Sequence, residues 1–390
     1  MKFNKWTVGL AAVGAVSLAS AARAEEKPNY LQTTVATTTL SGYADTSIEW
    51  DPGTGNRNVP GYAFNAGKQD GFNLDAVDVK IAKPLDEGQW SAGYTVELMY
   101  GPDGTFGPYG APLRQAYVEM RAPVGNGIDL KLGQWDNVLG FESTDSLNNL
   151  NWTRSYGYTI EPTEHVGLLA EYIFNPSVDL KVGVANELSA AFNRNFSGTG
   201  FTTIESKKAL VSLLTLTAPD SWGSLKGSAL YAGVDYGPGN ALSSAVGGHV
   251  VNKTHLYVGA VVVTPVTGLK FGAAWDSVNN SDLGAVEGYA GTLGGYVSYK
   301  ISDKMTINAR GEYAYGSAFD NLVVLGKAQE AKILAATATL QYDLWANVIS
   351  RLEVRWDTSA DGSPMFGGTV PFKPTEHNEI MVAANVIYKF

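Results

Sequence analysis

A two-residue period dominates this chain, and its clearest expression is the last segment, Ile380 to Phe390. Ile380, Val382, Ala384, Val386, Tyr388 and Phe390 fall on one face, with Met381, Ala383, Asn385, Ile387 and Lys389 on the other. Successive side chains of a strand point to opposite faces, so the first set is an unbroken apolar surface closed by two aromatic rings. A strand so unlike on its two sides separates two different media. Its neighbours must meet the same demand, so the pattern has to recur.

It does recur. Trp90, Ala92, Tyr94, Val96, Leu98 and Tyr100 oppose Ser91, Gly93, Thr95, Glu97 and Met99, with rings at both ends of the apolar face. Further strands are expected at Leu40–Trp50, Phe72–Ile81, Leu113–Ala122, Ile128–Gly133, Val166–Phe174, Val178–Val184, Lys208–Thr217, Leu225–Tyr236, His255–Thr264, Leu269–Val278, Tyr289–Ile301, Met305–Tyr315, Lys332–Tyr342 and Val348–Asp357. That makes sixteen. The strands near 208–217 and 255–264 are apolar on both faces, so their inner side is not legible. Short connections such as Pro123–Gly127 and Asn175–Ser177 alternate with long ones that start near Asp51, Gly101, Asn137, Asn186, Gly237, Asn279, Ser317 and Thr358. The expectation is an all-β transmembrane antiparallel β-barrel of about 16 strands, with short periplasmic turns and long external loops. Lipid offers no partner to free backbone N–H and C=O groups, so a spanning sheet must close. Sixteen strands also make a wall too wide for side chains to fill.

The N-terminus agrees with export. Lys2 and Lys5 precede an apolar stretch from Trp6 to Leu18, then small residues ending in Ala22-Arg23-Ala24. This is the layout of a signal peptide over residues 1–24, shorter than the roughly 20 apolar residues of a membrane anchor. A short periplasmic lead, 25–37, would precede a barrel over 38–390. With 44 glycines and 16 prolines, long helices are disfavoured. A mean hydropathy of −0.07 does not argue against a membrane, because barrel strands show lipid only alternate residues. Without Lys2, Lys5 and Arg23 the chain carries 25 basic against 38 acidic residues, a net charge of −13. That excludes a nucleic-acid partner and leans toward cations. The absence of cysteine excludes disulfides and thiolate metal sites.

The longest connection, 137–164, is the third external one and the best place for a constriction. It holds Glu142, Asp145, Glu161 and Glu164 with Arg154, and the rings Trp152, Tyr156 and Tyr158. Opposing charge is available on the wall. Arg351, Glu353, Arg355 and Asp357 are successive residues on one strand face, and Arg310 and Glu312 share another. Basic groups facing lipid near the midplane would cost roughly 2–4 kcal/mol each, so these faces are expected to meet water. Glu312 and Glu353 read as plain salt-bridge ladder members. For Arg351 and Arg355 a role in the pore field and a ladder role both stay open. Charge rings in a narrow section set ion preference.

Leu113-Arg114-Gln115-Ala116-Tyr117-Val118-Glu119, Leu132-Gly133-Gln134-Trp135 and the terminal Tyr388-Lys389-Phe390 resemble the OmpL-like beta-barrel porin family of bacterial outer membranes. The resemblance implies passive diffusion of ions and small hydrophilic solutes through an outer-membrane barrel, with no cofactor. Outer-membrane lipid is the implied surrounding, and a homotrimer is expected by analogy. Two alternatives stay in view: a sugar-selective porin with Trp152, Tyr156 and Tyr158 as a stacking track, and a surface adhesin on a barrel platform. No catalytic residue or metal ligand is expected. His165, His249, His255 and His377 lie near strand ends or in loops, and neither G-x-S-x-G nor H-E-x-x-H occurs.

Overall fold

The computed structural model describes residues 31–32, 37–53, 68, 70–104, 113–188, 207–238, 252–281, 288–317, 330–370 and 373–390. The expected signal peptide, most of the lead and most of the long external connections lie outside these residues.

The strands are β1 (Leu31–Gln32), β2 (Thr39–Trp50), β3 (Gly71–Lys83), β4 (Ser91–Tyr100), β5 (Leu113–Ala122), β6 (Ile128–Asp136), β7 (Glu164–Asn175), β8 (Val178–Ala185), β9 (Ala209–Thr217), β10 (Ala229–Pro238), β11 (Asn252–Val263), β12 (Leu269–Ser281), β13 (Gly288–Lys300), β14 (Met305–Gly316), β15 (Ala331–Trp345), β16 (Val348–Ser359) and β17 (Asn378–Lys389). Each of β2 to β17 pairs antiparallel with its sequence neighbours, and β17 pairs back onto β2, from Lys389↔Tyr43 to Val382↔Trp50. The result is a closed sixteen-stranded transmembrane barrel. Two backbone hydrogen bonds between Gly42 and Phe390, at 2.9 and 3.1 Å, extend that seam to the last residue. Below it β1 takes the same edge of β2, with Leu31 opposite Leu40. Among the described residues, each strand from β2 to β17 has a partner on both sides.

Alternation settles the faces. On β16, Leu352, Val354 and Trp356 are 43–51% exposed, whereas Arg351, Glu353, Arg355 and Asp357 are 0–3% exposed. The first set meets lipid and the second the interior. β9 and β11 also sort: Val211, Leu213, Tyr257 and Val261 point inward. Their apolar character comes from what covers them. Leu213, Tyr231, Tyr257, Val261 and Tyr296 pack with Leu139, Phe141 and Leu150 of the third external loop.

The short connections gather on one rim. Two of them are two residues long, Pro176–Ser177 and Ala346–Asn347, and in the second Asn347 takes φ 69°, a left-handed conformation that asparagine tolerates. One expected boundary is corrected. The strand read from Leu225 begins at Ala229, because Asp220–Leu225 forms a 3-10 turn. Its cause is local: Pro219 opens the turn, and Gly223 and Gly227 take positive φ inside and after it.

Candidate functional site

The third loop, 137–163, folds inward against one side of the barrel. Its shape is set by its own short polar residues. Asp145 accepts the Leu147 N–H at 2.8 Å and caps the 3-10 turn Ser146–Asn148. Ser155 accepts the Tyr158 N–H at 3.1 Å and caps α1, Tyr156–Ile160. The Asn149 amide accepts from Ser143 N at 2.8 Å and donates to Ser143 O and Asp145 O at 2.6 and 3.0 Å, tying off the bend between them. At Gly140, φ is 110° and the Glu161 carboxylate lies where a Cβ would stand. Only glycine lets the two arms of the loop approach this closely.

Wall carboxylates receive the loop's backbone. Glu353 accepts the Trp152 N–H at 2.6 Å, the Thr153 N–H at 2.9 Å and the Thr153 and Thr339 hydroxyls at 2.5 and 2.7 Å. Glu312 accepts the Tyr156 N–H at 2.7 Å, and Asp357 accepts the Tyr156 hydroxyl at 2.7 Å. Wall cations take its carbonyls. Arg310 donates to Thr153 O and Arg154 O, Arg355 to Arg154 O at 2.8 Å, and Arg351 to Ser146 O and Asn149 O. Asn308 donates to Leu150 O at 2.8 Å. Arg310 also pairs with the loop's own Glu142 at 2.6 Å and with Glu312 at 2.7 Å. These groups are buried, and burial of charge is tolerable because each charge is met by several partners.

On its other side the loop borders a cavity of about 230 Å³. Ser143, Thr144 and Asp145 face Lys80, Lys131, Lys181 and Thr215 across it, with Asp78 and Glu97 also lining it. Arg114 bridges Glu97 and Asp136, the latter at 2.6 Å. Lys80 lies 3.3 Å from Glu97, and Lys131 and Lys181 lie 3.5–3.8 Å from carboxylates of the wall. Burial, and then the hydrogen-bonded Asp276 carboxyl, push Glu161 well above the ordinary carboxylate range.

The expected site residues therefore separate. Glu142, Asp145, Glu161 and Tyr158 line the cavity. Arg154, Arg310, Arg351 and Arg355 sit in the seam between loop and wall, each at most 3% exposed. Trp152 and Tyr156 turn to the wall as well: the Trp152 indole donates to Asp75 at 3.1 Å, under the Lys68 ammonium at 4.4 Å. The three rings do not share one surface. Lys80, Lys131 and Lys181 escaped notice as site residues, although each occupies the polar face of its strand. His165 meets Asn137 at 3.2 Å and the Glu187 carbonyl at 3.3 Å. Among the described residues, no group of three or more His, Asp or Glu is placed to hold a metal ion.

Solved structures share this architecture. The chain is 12% identical to an anion-selective porin from Comamonas acidovorans, covering 90% of this chain and 99% of that one, with TM-score 0.59. The outer-membrane channel DcaP of Acinetobacter baumannii is 14% identical over 92% and 99% of the two chains, with TM-score 0.60. In-vitro folded OmpT of Vibrio cholerae, in its trimer form, is 11% identical over 91% and 99%, with TM-score 0.57. No individual curated relative matches. Residues 37–390 match the family described as "putative beta-barrel porin-2, OmpL-like". The chain belongs to this OmpL-like family of porins and is an outer-membrane β-barrel channel of bacteria.

Proposed function

We propose that ions and small hydrophilic solutes cross the barrel through the gap between the 137–163 loop and the arc of wall from β3 to β11. The loop is the narrow section. The observation that carries this reading is its two-sidedness: one flank is bonded to β14–β16, and the other borders the 230 Å³ cavity. In this reading Arg154, Arg310, Arg351 and Arg355 set the width of the passage by anchoring the loop. Glu142, Asp145, Glu161 and the lysines of the facing wall supply its field. Neither a catalytic residue nor a cofactor has a part in it. The sugar track is not favoured, because Tyr158 alone of the three rings lines the cavity. The apolar outer face belongs in lipid, and a homotrimer is the proposed assembly, supported by the trimer form of the OmpT neighbour.

The chain has no cysteine, so single introduced thiols report cleanly. With K131C or T215C in a planar bilayer, a charged thiol reagent should lower the current in steps. At N308C, behind the loop, the same reagent should have no effect. Equal modification at all three positions would place the passage elsewhere.

A further inference from the structure

Charge pairing within the cavity is uneven, and the unevenness identifies a solute class. Every lining cation already has a carboxylate: Arg114 has Glu97 and Asp136, Lys80 has Glu97, and Lys131 and Lys181 have wall acids within 3.8 Å. Three lining carboxylates have no cation within 4 Å among the described residues, and one of them, Glu161, has the Asp276 carboxyl as its hydrogen-bond partner. Asp145 accepts only from neutral groups of its own loop, Leu147 N and the Asn148 amide. Asp78, on β3, has no hydrogen bond to any described residue, and its Oδ1 is sealed from the surface although the residue is only 5% exposed. Tyr43 sits beside both acids, its hydroxyl accepting the Ser146 N–H at 3.2 Å.

A buried carboxylate without donors is costly, and a solute that brings donors relieves the cost. The strongest relief comes from a positively charged donor, since charge-assisted hydrogen bonds exceed neutral ones. We infer that the narrow section binds the ammonium group of small amine-bearing solutes between Asp78 and Asp145, and that Asp78 is a specificity-determining residue of the channel. The inference rests on the proposed passage. About 230 Å³ accommodates an ammonium with a short carbon chain, and Thr144 and Asn148 offer neutral partners for its remaining polar groups.

The test is block of single-channel potassium current by 1,4-diaminobutane, with 1,4-butanediol as the neutral match and succinate as the anionic one. The diamine should interrupt the current, and the diol and succinate should not. D78N should weaken the block roughly fivefold, the factor for about 1 kcal/mol between unit charges 4 Å apart in water. D145N, which keeps the cap acceptor, serves as the second variant should D78N fail to assemble. Equal block by diamine and diol, or a block unchanged in both variants, overturns the inference and leaves the passage standing. A folded barrel that passes no current takes the proposed passage down with it.

Discussion

Single carboxylates carry the largest local consequences. Glu353 holds two backbone N–H groups and two hydroxyls, so E353A leaves buried donors unmet at about 1–3 kcal/mol each. The expected outcome is a loosened loop, read as larger and noisier single-channel current, with E353Q milder than E353A. Such a role was out of reach in the sequence. The alternation of Arg351, Glu353, Arg355 and Asp357 with apolar residues revealed an inward face, but the loop partners of Glu353 lie about 200 positions away. Periodicity fixes direction and is silent about what lies opposite. At the outer mouth, burial and then Glu49 raise Asp51 from 3.8 to about 7. Its protonated form is therefore favoured in the folded chain, and stability from this group fades as pH rises from about 4 through about 7. The same ionisation adds a negative charge to the mouth. Cation preference, measured as reversal potential in a salt gradient, should rise between pH 5.5 and 8, and D51N should flatten that rise.

Strands and loops differ in how much of their structure is written locally. The bounds of Leu113–Ala122 were readable to the residue, because lipid on one side and water on the other impose alternation from Gln115 onward. Arg114, however, turns inward at a register irregularity opposite Glu97 and Leu98 that no period announces. β9 and β11 were not readable in this way. Both faces of these strands are apolar, so the inner one is not legible; Leu213, Tyr257 and Val261 are covered by Leu139, Phe141 and Leu150 on the folded-in loop, and Val211 by Trp135 and Leu169 of the wall. The start of β10 was missed for a smaller reason, the glycine turn at 223–227. A lipid-face test is direct on β16. V354K places an ammonium midway along the strand, at about 2–4 kcal/mol. Urea titration of the barrel folded into vesicles should show that loss, whereas V354L should show almost none.

At the scale of the molecule, closure and width make the function. Sixteen strands leave an interior that side chains cannot fill, and one loop, tethered along β14–β16, occupies part of it. The acidic total of the chain, −10 overall, leads us to expect a cation lean in the bore, with local pairing deciding which charges act. The most direct measurement is single-channel conductance of the whole protein beside a variant in which residues 141–159 are replaced by a short glycine-serine bridge. Stable openings from both, with clearly higher conductance from the shortened protein, are the predicted result. A folded barrel that is silent, or two proteins of equal conductance, would contradict a water-filled bore narrowed by this loop.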